Sequence, residues 1–201
     1  MEVTVSRDGT TQRFDGVMLL KAPASLRFEA LSPFGTPFLY LVASGKEFTF
    51  YNVVENRAVV GTDSAEGVRR LLGLPLTAHE LVGLLAGYVL PLGDPETVNL
   101  SHSDGLGPAL SLRGASWSQR IWFSPESELP HRVEFGGGRV PVRVDFEGGG
   151  ASMPPSLITL RALDRPLEIL IRYRSTELGT GLNDGAFSLN LPPRVRIQRV
   201  N

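Results

Sequence analysis

Apolar and polar residues alternate with a period of two through most of the first sixty positions, the spacing of strands with one buried face. Leu26, Phe28 and Ala30 share one side while Arg27 and Glu29 share the other. The turn-forming run Ser32-Pro33-Phe34-Gly35-Thr36-Pro37 leads into a second alternation, with Phe38, Tyr40 and Val42 on one face and Leu39 and Leu41 on the other. Ser44-Gly45-Lys46 and Glu55-Asn56 mark tight turns around Phe48-Thr49-Phe50-Tyr51, so the stretch predicts an antiparallel meander.

The period then lengthens. Ser64 can cap a helix whose Val68, Leu71 and Leu72 recur at three-and-four spacing, and Gly73 can end it. Thr77 with Glu80 three residues on is a capping-box pattern, and Leu81, Leu84, Leu85 and Tyr88 form a stripe ending near Pro91. From Leu110 the alternation returns, through Leu110–Leu112, Gln119–Phe123, Arg132–Phe135 and Val142–Phe146. Met153-Pro154-Pro155 precedes the run Leu157–Leu160, the Asp164-Arg165-Pro166 turn leads to Leu167–Tyr173, and a last strand falls near Val195–Ile197. About ten strands and two short helices predict a mainly β (α+β) chain, a curved antiparallel sheet with a helical lid over about residues 64–90. Residues 92–107 are rich in turn formers and read as an insertion.

A chain of 201 residues fits one domain, and a domain of that size needs no disulfide or structural metal to hold it together. Twenty basic residues against twenty-one acidic ones leave a formal charge of −1, which argues against a nucleic-acid partner. There is no cysteine, which excludes thiol catalysis and Cys-based zinc sites. Residues 1–20 show no basic region followed by an apolar one, and no run approaches the ~18 apolar residues of a spanning helix.

Candidate chemistry is sparse. His79, His102 and His131 stand far apart and at no metal-ligand spacing. Ser101-His102-Ser103-Asp104 holds the letters of a catalytic triad, but adjacent residues on one loop do not line up nucleophile, base and orienter. Neither Gly136-Gly137-Gly138 nor Gly148-Gly149-Gly150 continues as a phosphate-binding loop, and both read as hairpin turns. No catalytic residue, metal site or cofactor is therefore expected. The apolar residues along the strands suit a packed core, or a cavity if the sheet curves away from its helices. Phe34 is the exception, a large aromatic at the tip of a turn: either it folds back onto the sheet, or it projects, and then burial in a bilayer interface would contribute about 1.5–3 kcal/mol.

In their order, the strand ending at Leu31, the Ser32-Pro33-Phe34-Gly35 turn, the strand Phe38-Leu39-Tyr40-Leu41 and the two-helix run to Pro91 resemble the LolA/LolB lipoprotein-localisation family. The match is nearest to its LolB-type outer-membrane acceptors. The run from Ser64 to Leu76, followed by Glu80 to Gly87, resembles that family's two lid helices, and Met153-Pro154-Pro155 fits the approach to its closing strands. The resemblance implies an incomplete, half-open barrel whose cavity holds the acyl chains of lipoproteins. These would come from a periplasmic LolA-type carrier and go to the inner leaflet of the outer membrane, without covalent chemistry. It assigns Pro33, Phe34 and Gly35 to a membrane-insertion loop. Combined with strand and helix faces, it gives an expected cavity lining of Leu26, Phe28, Phe38, Tyr40, Phe48, Phe50, Val68, Leu71, Leu72, Leu81, Leu84, Leu85, Trp122, Val144, Phe146, Ile169 and Ile171. It also implies a periplasm-facing natural form carrying a signal peptide and lipidated cysteine that this chain lacks. Two other readings stand beside it: a non-catalytic structural module of the cell envelope, and a small lipid hydrolase.

Overall fold

The computed structural model describes residues 1–74, 76–102, 105–137, 141–150 and 152–200. The described residues form fourteen strands and two α-helices, more strands than the ten expected. In chain order they are β1 (Glu2–Arg7), β2 (Thr10–Lys21), β3 (Ser25–Leu31), β4 (Pro37–Ser44), β5 (Glu47–Asn52), β6 (Arg57–Thr62), α1 (Ala65–Leu72), α2 (Ala78–Leu85) and β7 (Thr97–Ser101). There follow β8 (Ala109–Gly114), β9 (Trp117–Phe123), β10 (Pro130–Gly137), β11 (Val142–Glu147), β12 (Leu157–Ala162), β13 (Leu167–Arg172) and β14 (Arg196–Val200). Strand β7 lies inside the segment read as an insertion, where it pairs with β8 from Thr97 opposite Arg113 to Ser101 opposite Ala109.

The chain packs as two compact units, with residues of both contributing to β1 and β2. In the first, the strand order is β14-β6-β5-β4-β3-β2, antiparallel except for β14, which runs parallel to β6. Cross-strand register sorts its residues cleanly between two faces. Phe28 lies opposite Met18 and Leu41, Leu41 opposite Phe50, and Phe50 opposite Val59, a continuous apolar row. The reverse side carries Arg27, Glu29, Tyr40, Val42 and Tyr51, with Arg27 opposite Val42 and Tyr40 opposite Tyr51.

Both helix starts follow from the capping residues the sequence supplies. Gly67 N–H donates to Ser64 Oγ at 3.0 Å, and the Gly73 N–H returns to Arg69 O to close α1. At α2 the capping box is reciprocal: Thr77 N–H donates to Glu80 Oε2 at 2.7 Å and Glu80 N–H to Thr77 Oγ1 at 3.2 Å. The stripe expected to run to Pro91 stops earlier. α2 ends at Leu85, Gly87 N–H turns back to Leu84 O, and Tyr88 is exposed beyond it.

The second unit orders its strands β1-β13-β12-β11-β10-β9-β8-β7. Val144 sits opposite Val133 and Leu160, which in turn face Ile121 and Ile169. Phe146, Ile158 and Ile171 continue this apolar side. Gln119 is the buried polar group on that face, and it is satisfied by holding the chain that follows α2: its Nε2 donates to Leu90 O at 2.9 Å and its Oε1 accepts from Leu92 N–H at 3.3 Å. The hydroxyl of Tyr173 donates to Leu85 O at 2.9 Å, and burial pushes that phenol well above its usual range.

Candidate functional site

The Phe28 face of the first unit is covered in one place only part of the way across. Helix α1 docks through Gly67 onto Phe48: a Cβ at that glycine would stand 3.0 Å from Phe48 Cε1 and 2.8 Å from Thr62 O, so a larger residue would lift the helix. Beneath it Phe48 is 2% exposed. Farther across the same face, Met18, Leu20, Leu39, Phe50 and Val59 are only half-buried, as is Leu72 of α1. A strip of half-covered apolar side chains lying between rigid strands can accept a flexible hydrocarbon without unpairing any polar group.

Part of the reverse face is covered by the chain itself. Lys21 Nζ donates to Leu182 O at 3.0 Å and Asp184 Oδ1 at 2.7 Å, while Arg27 donates to Ala186 O at 3.3 Å and Ser188 O at 3.0 Å. Phe187 is thereby buried, and Lys21 holds the Asp184 carboxyl below its usual range. Arg27 also lies over the Tyr40 ring at 5.5 Å, and Tyr40 stacks on Tyr51 at 6.3 Å.

These faces divide the expected lining residues. Leu26, Phe28, Phe48 and Phe50 share the Phe28 face, with Val68 buried in α1. Phe38 is the extra residue of a β-bulge, where the register steps between Ala30 and Leu31. Its ring meets Phe14 edge-on at 6.1 Å, and Phe14 lies 6.1 Å from Phe28. Tyr40 is on the other side, among the residues closed over by the 182–188 segment. Leu71 belongs to α1, with its side chain outside the described set. Leu81, Leu84 and Leu85 are buried on α2. In the second unit, Val144, Phe146, Ile169 and Ile171 share the apolar face, whereas Trp122 lies opposite Arg132 and Ala109 on the reverse side, under the Arg120 guanidinium at 4.9 Å. Alternation in Gln119–Phe123 leaves an apolar residue on either face, and Ile121 is the one that joins the Val144 face.

The turn Ser32–Thr36 holds its shape without help from Phe34. Ser32 N–H donates to Thr36 O at 2.9 Å, Gly35 N–H to Ser32 O at 2.8 Å, and Thr36 N–H to Ser32 Oγ at 3.2 Å. Gly35 takes φ +78°, a conformation that disfavours any side chain there. Phe34 projects from this frame at 94% exposure, beside an exposed Pro33.

Charge on α1 is arranged to complement the helix dipole. Arg69 makes two bonds to the Glu66 carboxylate, at 2.7 and 2.6 Å, and Arg70 one at 3.0 Å. The hydrogen bonds from Arg69 and then Arg70 lower the Glu66 pKa from 4.5 to about 2. A carboxylate depressed in the folded state stabilises the fold above its ordinary pKa and loses that effect as pH falls toward the lowered value. Acidification between about pH 4.5 and 2 is therefore expected to loosen α1 in the native chain. In Glu66→Gln that dependence should vanish from amide exchange over Val68–Leu72, and an unchanged acid response would assign it elsewhere.

Two surface depressions stand out in the second unit. One of about 280 Å³ is lined by His131, Arg132, Asp145, Thr159 and Arg161 among others, above a cross-strand ladder in which Arg132 and Arg161 reach Asp145 at 2.5 and 2.9 Å. The other, of about 320 Å³, lies between the turn at Asp8 and Gly9 and the β12–β13 hairpin. The first, walled by charged side chains, does not suit an acyl chain. Among the described residues no group of three or more histidine or carboxylate side chains could hold a metal ion. No helix among the described residues is long and apolar enough to cross a membrane. Of the triad-like run, Ser103 and Asp104 lie outside the described residues, as does Gly138 of the first glycine run.

No protein-family model matches the chain, and no curated protein matches it. Solved structures do. A LolA superfamily protein from Nitrosomonas europaea superposes with a TM-score of 0.60 at 15% identity, over 94% of this chain and 88% of that one. A domain from Vibrio parahaemolyticus named for outer membrane lipoprotein sorting gives 0.54 at 11% identity, over 92% and 86%. A DUF1329 family protein from Desulfovibrio piger gives 0.55 at 12% identity, over 93% and 87%. At such identities the likeness speaks for the arrangement of the chain, and this protein has the fold of these lipoprotein-sorting and LolA superfamily structures.

Proposed function

We propose that this protein is a non-enzymatic, LolB-type acceptor that binds the acyl chains of lipoproteins on the Phe28 face and passes them to a membrane. The observation that carries the reading is the apolar row Met18, Phe28, Leu41, Phe50 and Val59, in which Met18, Phe50 and Val59 are half-buried on either side of the buried Phe28 and Leu41, while residues 182–188 cover part of the reverse face. The fold shared with LolA superfamily and lipoprotein-sorting structures supports it, as does the exposed Phe34 at the turn that the resemblance assigns to membrane insertion. On this reading the donor is a LolA-type periplasmic carrier, and the destination is the inner leaflet of the outer membrane. Each methylene of an acyl chain gains about 0.8 kcal/mol on leaving water for either the protein or the bilayer. Transfer between them then turns on the small difference between two good sites rather than on any covalent step.

The test is displacement of a cavity-sensitive fluorescent dye by a synthetic triacylated lipopeptide, run beside the same peptide without acyl chains. Displacement that depends on the acyl chains supports an acceptor. Displacement by neither peptide leaves a packed envelope module as the better description, and turnover of the lipopeptide would establish the hydrolase.

A further inference from the structure

Phe34 and Val54 are the two most exposed large apolar side chains among the described residues, at 94% and 80%, and they occupy neighbouring turns at the same end of the first unit. Strand β4 leaves the Phe34 turn and β5 returns beside it to the Val54 turn, where Val53 N–H donates to Phe38 O at 2.9 Å. The Val54 turn is as firmly built as its neighbour. Glu55 N–H donates to Asn52 Oδ1 at 3.1 Å, Asn56 N–H to Val53 O at 3.2 Å, and the Tyr51 hydroxyl lies 3.2 Å from Asn56 Oδ1. Two apolar tips held out of the fold by fixed turns remain hydrated at a free-energy cost that nothing in the unit relieves.

A basic corner is fastened to this end. Asn56 Nδ2 donates to Arg194 O at 3.2 Å, Arg196 N–H to Asn56 O at 3.1 Å, and the Arg196 guanidinium to Glu55 O at 2.9 Å. Arg57 donates to the side-chain oxygen of Gln198. Arg57 and Arg196 thus bond neutral oxygens, and residues 52–57 with 194–198 hold three arginines against the single carboxylate of Glu55, in a chain whose formal charge is −1. Arg194 takes φ +69°, a strained conformation for a residue with a side chain.

We infer that Phe34 and Val54 together form the membrane-touching end of the first unit, with Arg57, Arg194 and Arg196 as a collar that binds anionic lipid headgroups. The inference deepens the proposed function and rests on it for the role of Phe34. The features contributed independently are Val54 and the arginines. A lipid surface fits better than a protein partner because the apolar groups are separate turn tips above a cationic rim. A stable protein interface needs a packed patch of roughly 800 Å² on each side. Headgroup attraction is worth about 1 kcal/mol for each arginine near an anionic surface, roughly a fivefold gain in partitioning, and it fades beyond a Debye length.

The experiment is flotation of the full chain with two kinds of vesicle: pure phosphatidylcholine, and equal parts phosphatidylcholine and phosphatidylglycerol. The wild type should prefer the anionic vesicles and lose that preference in high salt. Arg194→Asn with Arg196→Gln should lower anionic partitioning by roughly 25-fold, two steps of about fivefold, and leave zwitterionic partitioning as it was. Val54→Ser should lower both. Circular dichroism and the dye-displacement assay on the same variants report folding and acyl binding separately. The inference is overturned if the wild type shows no anionic preference, if the double variant keeps it, or if folded Val54→Ser partitions like the wild type. Loss of acyl-dependent dye displacement in the wild type would instead remove the acceptor reading and leave the lipid surface standing.

Discussion

Phe34→Glu is expected to abolish delivery of a bound lipopeptide to vesicles while leaving both the fold and acyl binding intact. The side chain is 94% exposed and contributes nothing to the hydrogen bonds that shape its turn, which run between Ser32, Gly35 and Thr36. Removing it therefore costs the folded state little. Its loss matters only at the membrane, where burying a phenyl group contributes about 1.5–3 kcal/mol, roughly a 10- to 150-fold change in partitioning, and a carboxylate in its place adds a desolvation cost. The measurement is transfer of fluorescent lipopeptide from preloaded protein to vesicles, with dye displacement as the control for loading. Unimpaired transfer by a folded, loaded Phe34→Glu variant would mean that the turn plays no part in delivery.

The second large effect separates two aromatic residues that share a face and a strand. Phe48 is 2% exposed beneath α1, with Gly61 and Gly67 pressed against its ring. Phe50, two residues on, is half-buried in the strip that α1 leaves open. Phe48→Ala should cost about 3–5 kcal/mol of stability, the usual penalty for emptying a packed aromatic site. Phe50→Ser should cost clearly less and instead weaken acyl binding. Chemical denaturation beside dye displacement checks both. Equal losses of stability in the two variants would mean that the strip is ordinary core, and the acyl site would then have to be sought elsewhere.

Local signals in the sequence were read well where one residue does one job. Ser64, Gly73 and the Thr77–Glu80 pair cap their helices as their chemistry requires, and Ser32–Gly35 is the turn its composition suggests. Choices between faces were harder. In Phe38–Val42 both sides of the strand are apolar, so alternation shows that there is a strand but not which side its neighbours cover. The pairing of Leu41 with Phe28 and Phe50, and the bulge that redirects Phe38, decide that question, and both arise from long-range register. Trp122 falls on the face opposite Val144 for the same reason. Strand β7 escaped notice because five residues between turn formers, with Val98 and Leu100 still largely exposed, look like a loop until β8 is beside them. The half-buried apolar strip leaves only a faint signal in the sequence: Met18, Leu20, Leu39 and Val59 share the face of Phe28, which shows only once the hairpin registers are known.

The parallel strand β14 gives the first unit a particular history. Its partner β6 is made early in the chain, yet the bond from Asn56 to Arg194 joins residues 138 positions apart. The sheet edge at β6 therefore stays unpaired until residues 196–200 have been made. Domains assembled from nearby segments can fold from the N-terminus as they emerge, but the β6 edge has to wait for β14. Non-local pairing of this kind makes folding slow, and during the delay an open β6 edge can pair with another chain. Strand β14 stands at the end of the strand order, so its arrival closes the β6 edge and passes the role of edge strand to a segment whose Arg196 and Arg199 are the kind of charged side chains that discourage further pairing.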